Sequence, residues 1–337
     1  LGLVRDILLI GVVENVDPVE QQGSVMSLAR GRDPDDLHFN ENAHIFEIDA
    51  LAFGFSLDMT ISGEFEIPTT AVGAPQTNGF GAAFVYVDES STGADWSPFG
   101  GMIQPTEMSD NERNGLFGYS VSLSDYFHVA IGAPASANGA GKVYSFAYNT
   151  DTKDWETRTQ SPITGLDGLF LGAALDLSHD GTHLLMGAPG DPQYHPDGTA
   201  GVIKVYKYIP GPTAVSGSWQ ALTIDQYFGK AAESLGTSVQ WISNDNSLFA
   251  AGGPNFHRTY EDGDVFQFDC GVIRVFQFNN ELGSYQQLGS DIVGGEGEQI
   301  GTSLCGNSGG RLAFGTAFGE VRVYEYSDEL MEWILVG

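Results

Sequence analysis

Phe117-Gly118-Tyr119-Ser120-Val121-Ser122-Leu123-Ser124, then Val129-Ala130-Ile131-Gly132-Ala133-Pro134, then Gly141-Lys142-Val143-Tyr144-Ser145-Phe146 read as three short apolar strands parted by turn-forming residues. The same three-part phrase returns along the chain. Phe53-Gly54-Phe55-Ser56 leads to Ala71-Val72-Gly73-Ala74-Pro75 and Ala83-Phe84-Val85-Tyr86. Leu171-Gly172-Ala173-Ala174 leads to Met186-Gly187-Ala188-Pro189 and Val202-Ile203-Lys204-Val205-Tyr206. Leu235-Gly236-Thr237-Ser238 leads to Ala251-Gly252-Gly253-Pro254 and Val272-Ile273-Arg274-Val275-Phe276, and Ile300-Gly301-Thr302-Ser303 leads to Ala313-Phe314-Gly315-Thr316 and Val321-Arg322-Val323-Tyr324. A worn first copy keeps Leu9-Ile10-Gly11-Val12 and Ser24-Val25-Met26-Ser27-Leu28. The equivalent glycines Gly11, Gly73, Gly132, Gly187, Gly252 and Gly315 recur every 55 to 65 residues or so. Six copies, numbered I to VI below, fill one domain, with approximate bounds 1–48, 49–104, 105–163, 164–223, 224–292 and 293–337.

A fourth strand follows in the later copies, marked by Trp96, Trp155, Trp219, Tyr285 or Trp333. Gln286 to Ile292 nearly alternates, as a half-exposed outer strand should. Four antiparallel strands per repeat of this length is the arithmetic of a β-propeller blade, and a solenoid coil would be shorter. An isolated sheet with two apolar faces cannot bury them, whereas blades stacked face to face can. The fold expected is therefore all-β, a propeller of four-stranded antiparallel blades with six repeats visible and almost no helix. In copy I, strands are expected at 7–13, 24–29 and 44–48, around a charged loop from Arg30 to Asp36.

Composition narrows the function classes. The formal charge is -30, from 14 Lys+Arg against 44 Asp+Glu, and this opposes binding to nucleic acid or an anionic membrane surface. No apolar run approaches the roughly 20 residues that a membrane-spanning helix needs. Two cysteines are too few for a disulfide framework. In the repeat alignment Cys270 enters a third strand and Cys305 sits late in a first strand one blade on, so both are expected as free thiols. The seven histidines are scattered, and no Gly-x-Ser-x-Gly elbow, Walker loop or Cys-x-x-Cys pair occurs. No catalytic residue is expected.

The phrases Phe-Gly-x-Ser and Gly-Ala-Pro resemble the FG-GAP repeats of integrin-α-like β-propellers, over about residues 50–337. The resemblance implies a seven-bladed ring, so either this ring has six blades or a seventh lies upstream of Leu1. It implies an adhesive or interaction module in a secreted, extracellular or lumenal setting, within a larger assembly. It also implies a calcium loop between first and second strands, where a hard cation needs six to eight oxygens. Only the stretch with Asp176, Ser178 and Asp180 approaches that loop, and a plain hairpin turn is the competing reading. No other cofactor is expected.

Loop length carries the remaining signal. Five residues separate Pro75 from Gly81 and six separate Pro134 from Gly141, but eleven follow Pro189 and sixteen follow Pro254. These two long loops, Gly190–Ala200 and Asn255–Cys270, are expected on one face of adjacent blades. Their aromatic and Arg residues are typical interface anchors, and loops on a rigid scaffold are where binding resides. The expected partner site is Tyr194, His195, Phe256, Arg258 and Tyr260, with a protein partner that is basic because the surface is acidic. The function expected is non-enzymatic binding; the alternative is a glycan-processing or glycan-binding propeller using carboxylates in its central depression.

Overall fold

A computed structural model describes residues 2–4, 7–13, 22–30, 39–62, 67–90, 92–106, 109, 112–190, 200–213, 216–259 and 265–337. The fold is all-β. Among the described residues helix is confined to the turn Ser136–Gly139, the 3-10 turn Thr77–Gly79 and a 3-10 position at Glu112. Five blades built on four antiparallel strands in chain order follow one another, and in blades III and V a fifth, two-residue strand, Ile163–Thr164 or Ile292–Val293, also pairs with the third strand. Blade II is Ser56–Ser62, Ile67–Ala74, Ala82–Asp88 and Trp96–Pro98, and blade III is Ser120–Leu123, His128–Ala133, Lys142–Asn149 and Asp154–Thr157. Blade IV is Ala174–Leu177, His183–Ala188, Val202–Ile209 and Ser218–Phe228. Blade V is Ser238–Trp241, Leu248–Gly253, Val272–Asn279 and Ser284–Gln287, and blade VI is Leu304–Gly306, Arg311–Gly315, Val321–Ser327 and Glu332–Leu335. Each marker aromatic lies in its fourth strand, and in blades II to V the second strand stops at the residue before Pro75, Pro134, Pro189 or Pro254, since proline has no N–H for the ladder.

Repeat I departs from expectation. Its sheet begins with an unforeseen strand, Gly2–Val4, ahead of Ile7–Val13 and Gln22–Arg30, and it ends in Phe39–Leu51. A strand of 3 residues beside one of 13 is not the proportion of the other sheets, so the structure establishes five blades and does not confirm the count of six. The chain divides into two compact units, one of Leu1–Thr164, His179–Gly181 and Ile209–Ser218, the other of Gly165–Ser178, Thr182–Tyr208 and Trp219–Gly337. Within each, consecutive sheets pack face to face as propeller blades do. Val121, Val129 and Ile131 of blade III meet Ala71, Ala83 and Val85 of blade II in the first unit. In the second, Ile203 and Val205 of blade IV meet Phe249 and Ala251 of blade V.

The repeated phrase is the chemistry of these seams. In blade II Gly54 N donates to Gly73 O at 3.1 Å, and Gly118, Gly172 and Gly236 bond to Gly132, Gly187 and Gly252 in the same way. The carbonyl of the next blade's leading glycine then presses on the second-strand glycine. A β-carbon on Gly73 would collide with Gly118 O, one on Gly187 with Gly236 O, one on Gly252 with Gly301 O and one on Gly11 with Gly54 O. Where the phrase keeps its serine, the hydroxyl holds that carbonyl: Ser56 Oγ donates to Gly118 O at 2.9 Å and Ser238 Oγ to Gly301 O at 2.6 Å. A second glycine, at the head of the third strand, forms a parallel bridge with the apolar residue of the next phrase, in the pairs Gly81–Phe117, Gly201–Leu235 and Gly271–Ile300. Those apolar residues are at most 1% exposed. Burying each contributes about 1.5–3 kcal/mol, more than the roughly 1 kcal/mol of one hydrogen bond, so the bonds set the register and the side chains supply most of the stability.

Four residues after the leading glycine, the seams II–III and IV–V use a carboxylate. Asp58 Oδ2 accepts from Leu123 N at 2.7 Å and from Ser122 Oγ at 3.1 Å. Asp176 Oδ2 accepts in the same way from Trp241 N and from Gln240 Nε2. Burial raises the pKa of Asp58, against the lowering effect of its bonds to Leu123, Ser122 and Met59. Cys270 is buried, Cys305 is exposed, and neither is in a disulfide.

Because Gly252 meets backbone rather than a flexible side chain, Gly252→Val has no room to relax. The expected result is a loss of about 2–3 kcal/mol or more, read as a lower midpoint of thermal unfolding. An unchanged midpoint would show that the seam is not closed at this glycine.

Candidate functional site

The sixteen-residue loop of blade V begins with a pinned residue. Phe256 O accepts from Cys270 N at 2.9 Å and Gly271 N at 3.2 Å, which ties the start of the loop to its end. His257 Nδ1 accepts from Asp269 N at 2.9 Å, and its ring packs edge-on against Phe268. Beyond this clasp Arg258–Thr259 pairs antiparallel with Val265–Gln267. The expected long loop is thus a two-stranded hairpin, and it presents Phe256, Arg258 and Thr259 beside Asp291 and Val293 along an open groove of about 510 Å³. A neighbouring groove of about 470 Å³ shares Asp291 and adds Lys230, Tyr227 and Phe228.

A buried ion network forms the floor between the grooves. Arg274 donates to both Glu233 oxygens at 2.8 Å, and its Nε and Nη2 donate to the two Asp291 oxygens at 3.0 Å. Gln287 Nε2 adds a bond to Asp291 Oδ1 at 2.9 Å. Burial alone would raise the Asp291 pKa, but the bonds and charge of Arg274, helped by Gln287, hold it below the ordinary 3.8. Desolvation likewise opposes the charge on Arg274, and its two carboxylates outweigh that and raise its pKa. Blade VI repeats the device in more exposed form: Arg322 donates to both oxygens of Glu298, whose pKa is lowered chiefly by that contact.

The carboxylates at the grooves are therefore engaged, while the side-chain donors of two cations have no acceptor among the described residues. Lys230 Nζ sits 5.6 Å from the centre of the Phe256 ring, a cation–π contact that uses none of its three N–H groups. The Arg258 guanidinium has no hydrogen bond among the described residues, and its charge lies close enough to lower the pKa of Glu298. A cation over an aromatic ring, with a second cation along the same groove, makes a surface suited to an acceptor oxygen next to an apolar group.

Of the residues expected to bind a partner, Phe256 and Arg258 come together here, while Tyr194, His195 and Tyr260 lie outside the described residues. Lys230, Glu233, Arg274 and Asp291 were missed by the sequence reading. A signal for the network existed: Glu stands three residues before the leading glycine, and Arg three after the glycine heading the third strand, in both V and VI. Of the calcium candidates, Asp176 faces the first strand of blade V, and Ser178 Oγ accepts from Thr182 N at 3.2 Å and His183 N at 2.8 Å, closing its own turn. Among the described residues no group of three or more His, Cys, Asp or Glu could hold a metal ion. No protein-family model matches the chain, and no curated protein matches it.

The depressed pKa of Asp291 fixes a sign. Its ionised form stabilises the fold fully above the ordinary carboxylate value near 3.8, and that stability is lost as pH falls through the lower folded value. Thermal unfolding from pH 7 to 3 is expected to show a midpoint that drops below about pH 4, and Asp291→Asn is expected to reduce that drop. A variant with the full acid slope would place the titrating group elsewhere.

Proposed function

We propose that this chain is a non-enzymatic binding module of the FG-GAP type, built from six repeats, that engages a protein partner through the hairpin groove of blade V. The observation that carries the reading is Phe256 with the Lys230 ammonium over its ring and Arg258 along the same groove, two cations whose side-chain N–H groups have no acceptor among the described residues, on a floor of fully engaged carboxylates. Such a floor is rigid, so the anchors are held in place before binding and little side-chain entropy is lost on association. Aromatic and Arg residues in a partly covered groove are the commonest carriers of binding energy. The charge of -30 sets a second preference at longer range. A partner with basic residues around its contact is steered in, and an acceptor oxygen within that contact meets Arg258.

Long surface loops beyond what blade closure needs support the same reading, since blades II and III turn in five and six residues at this point. No helix among the described residues is long and apolar enough to cross a membrane. The site of action proposed is outside the cell or in an organelle lumen, within a larger assembly. Cation binding at Asp176, Ser178 and Asp180 has no role in this proposal, and neither does glycan chemistry at a central depression.

Affinity capture with the chain as bait, followed by titration of the recovered partner, tests the reading. Phe256→Ala and Arg258→Ala are each expected to weaken binding by at least about tenfold, with the midpoint of unfolding unchanged. The on-rate is expected to fall as salt rises. A partner whose affinity ignores both substitutions binds elsewhere, and hydrolysis of a glycan lost in an Asp or Glu variant would favour the enzyme alternative.

A further inference from the structure

The two grooves of blade V offer different chemistry and meet at one residue. The groove beside the hairpin is edged by Phe256 and Arg258, the other by Tyr227, Phe228 and Phe276, and Asp291 lines both. Tyr227 is fixed, its hydroxyl donating to Tyr285 O at 2.8 Å and its ring lying 4.5 Å from that of Phe276. Phe228 beside it is 42% exposed. The second groove therefore has a rigid aromatic wall and one open ring. Charge at this place runs against that of the chain, which has 44 Asp+Glu and 14 Lys+Arg. Among the described residues lining the grooves Asp291 is the single carboxylate, and Arg274 and Gln287 hold it. Lys230 and Arg258 reach Asp291 and Glu298 only through space, since each charge lowers the carboxylate's pKa without a hydrogen bond to it.

Resting on the reading of this groove as a partner site, we infer that its occupant is a short protein segment with a single aspartate or glutamate close to an aromatic or leucine residue. The carboxylate meets Arg258, whose planar guanidinium matches it fork to fork, and Lys230, held on the Phe256 ring, adds a second positive charge. A neutral acceptor would leave two covered cations without a counter-charge, and a lysine or arginine would meet like charges. The aromatic or leucine side chain enters the second groove against Phe228 and the wall of Tyr227 and Phe276. A run of acids is excluded, because a further carboxylate on the shared ground would face Asp291 and the field of a chain of charge -30 repels it at long range. The acid is thus one residue set among neutral or basic neighbours.

Selection of a displayed library of random peptides on the intact chain, followed by titration of the enriched peptides in synthetic form, tests this. The expected consensus is one Asp or Glu within about three residues, or about 10 Å of extended chain, of an aromatic residue or Leu. Exchanging that acid for its amide in the peptide leaves the protein untouched and is expected to weaken binding at least about tenfold, as are Arg258→Ala and Phe228→Ser. Arg258→Glu is expected to reject the acid peptide and to bind its lysine counterpart at least about tenfold better than the unsubstituted chain does. No enriched peptide, a basic consensus, or an acidic one that ignores Arg258 and Phe228 would overturn the inference. A captured partner weakened by Phe256→Ala but indifferent to amide exchange of its own acids would overturn the acid motif alone. A partner indifferent to both Phe256 and Arg258 would remove the groove as the partner site, and the motif with it.

Discussion

The contact on which the structure depends is a carbonyl resting on a glycine. Wherever one sheet meets the next within a unit, the leading glycine's oxygen occupies the space that a β-carbon at Gly11, Gly73, Gly187 or Gly252 would fill. Sheets that normally pack about 10 Å apart through their side chains are here drawn into backbone contact at one corner. That corner fixes the register of every first strand against its predecessor. Away from it the seam widens enough for Ile203, Val205, Phe249 and Tyr285 to interdigitate. The apolar residue before each leading glycine acts as the bolt, since Phe53, Phe117, Leu171, Leu235 and Ile300 are all fully buried.

Charge is used sparingly in a chain so rich in it. Among the described residues the best-buried ion pairs are Arg274 with Glu233 and Lys142 with Glu112, each at 2.8 Å, and both join the segment before a first strand to the third strand of the same blade. Burying these charges has a large desolvation cost, and the return is geometric more than energetic. Arg274 holds two carboxylates in one plane and so fixes the segment that carries Lys230 opposite the hairpin that carries Arg258. Carboxylates at Asp58 and Asp176 serve a third purpose, satisfying a buried amide in the neighbouring blade where a ladder partner is missing. Acidic residues that looked from composition like candidate catalytic groups are in these places structural acceptors.

The blades differ in what they add to this frame. Loops of five and six residues suffice in II and III, while V inserts a hairpin whose base is clasped by Phe256 O and His257 Nδ1. The insertion adds little to the core, and it turns a turn region into a groove wall. Blade VI adds no insertion at this turn, where Thr316, Ala317 and Phe318 join Gly315 to Gly319.

Strand order, strand ends and the marker aromatics of blades II to VI were legible in the sequence, because strand periodicity, Gly-Ala-Pro stops and repetition all act locally. Free thiols at Cys270 and Cys305 followed from the same register. Gly2–Val4 was not legible, since three residues carry no periodic signal and only pairing with Leu8 and its neighbours makes them a strand. For the candidate site the sequence determined that Phe256 and Arg258 share an inserted loop. Only the tertiary structure decided that Lys230, 26 residues upstream of Phe256, stands over its ring, and that Asp291 belongs to Arg274 rather than to a ligand. The reason is physical: turn chemistry and strand pattern are fixed by neighbours in sequence, whereas the burial and pairing of a charge depend on which distant backbone the seam brings beside it.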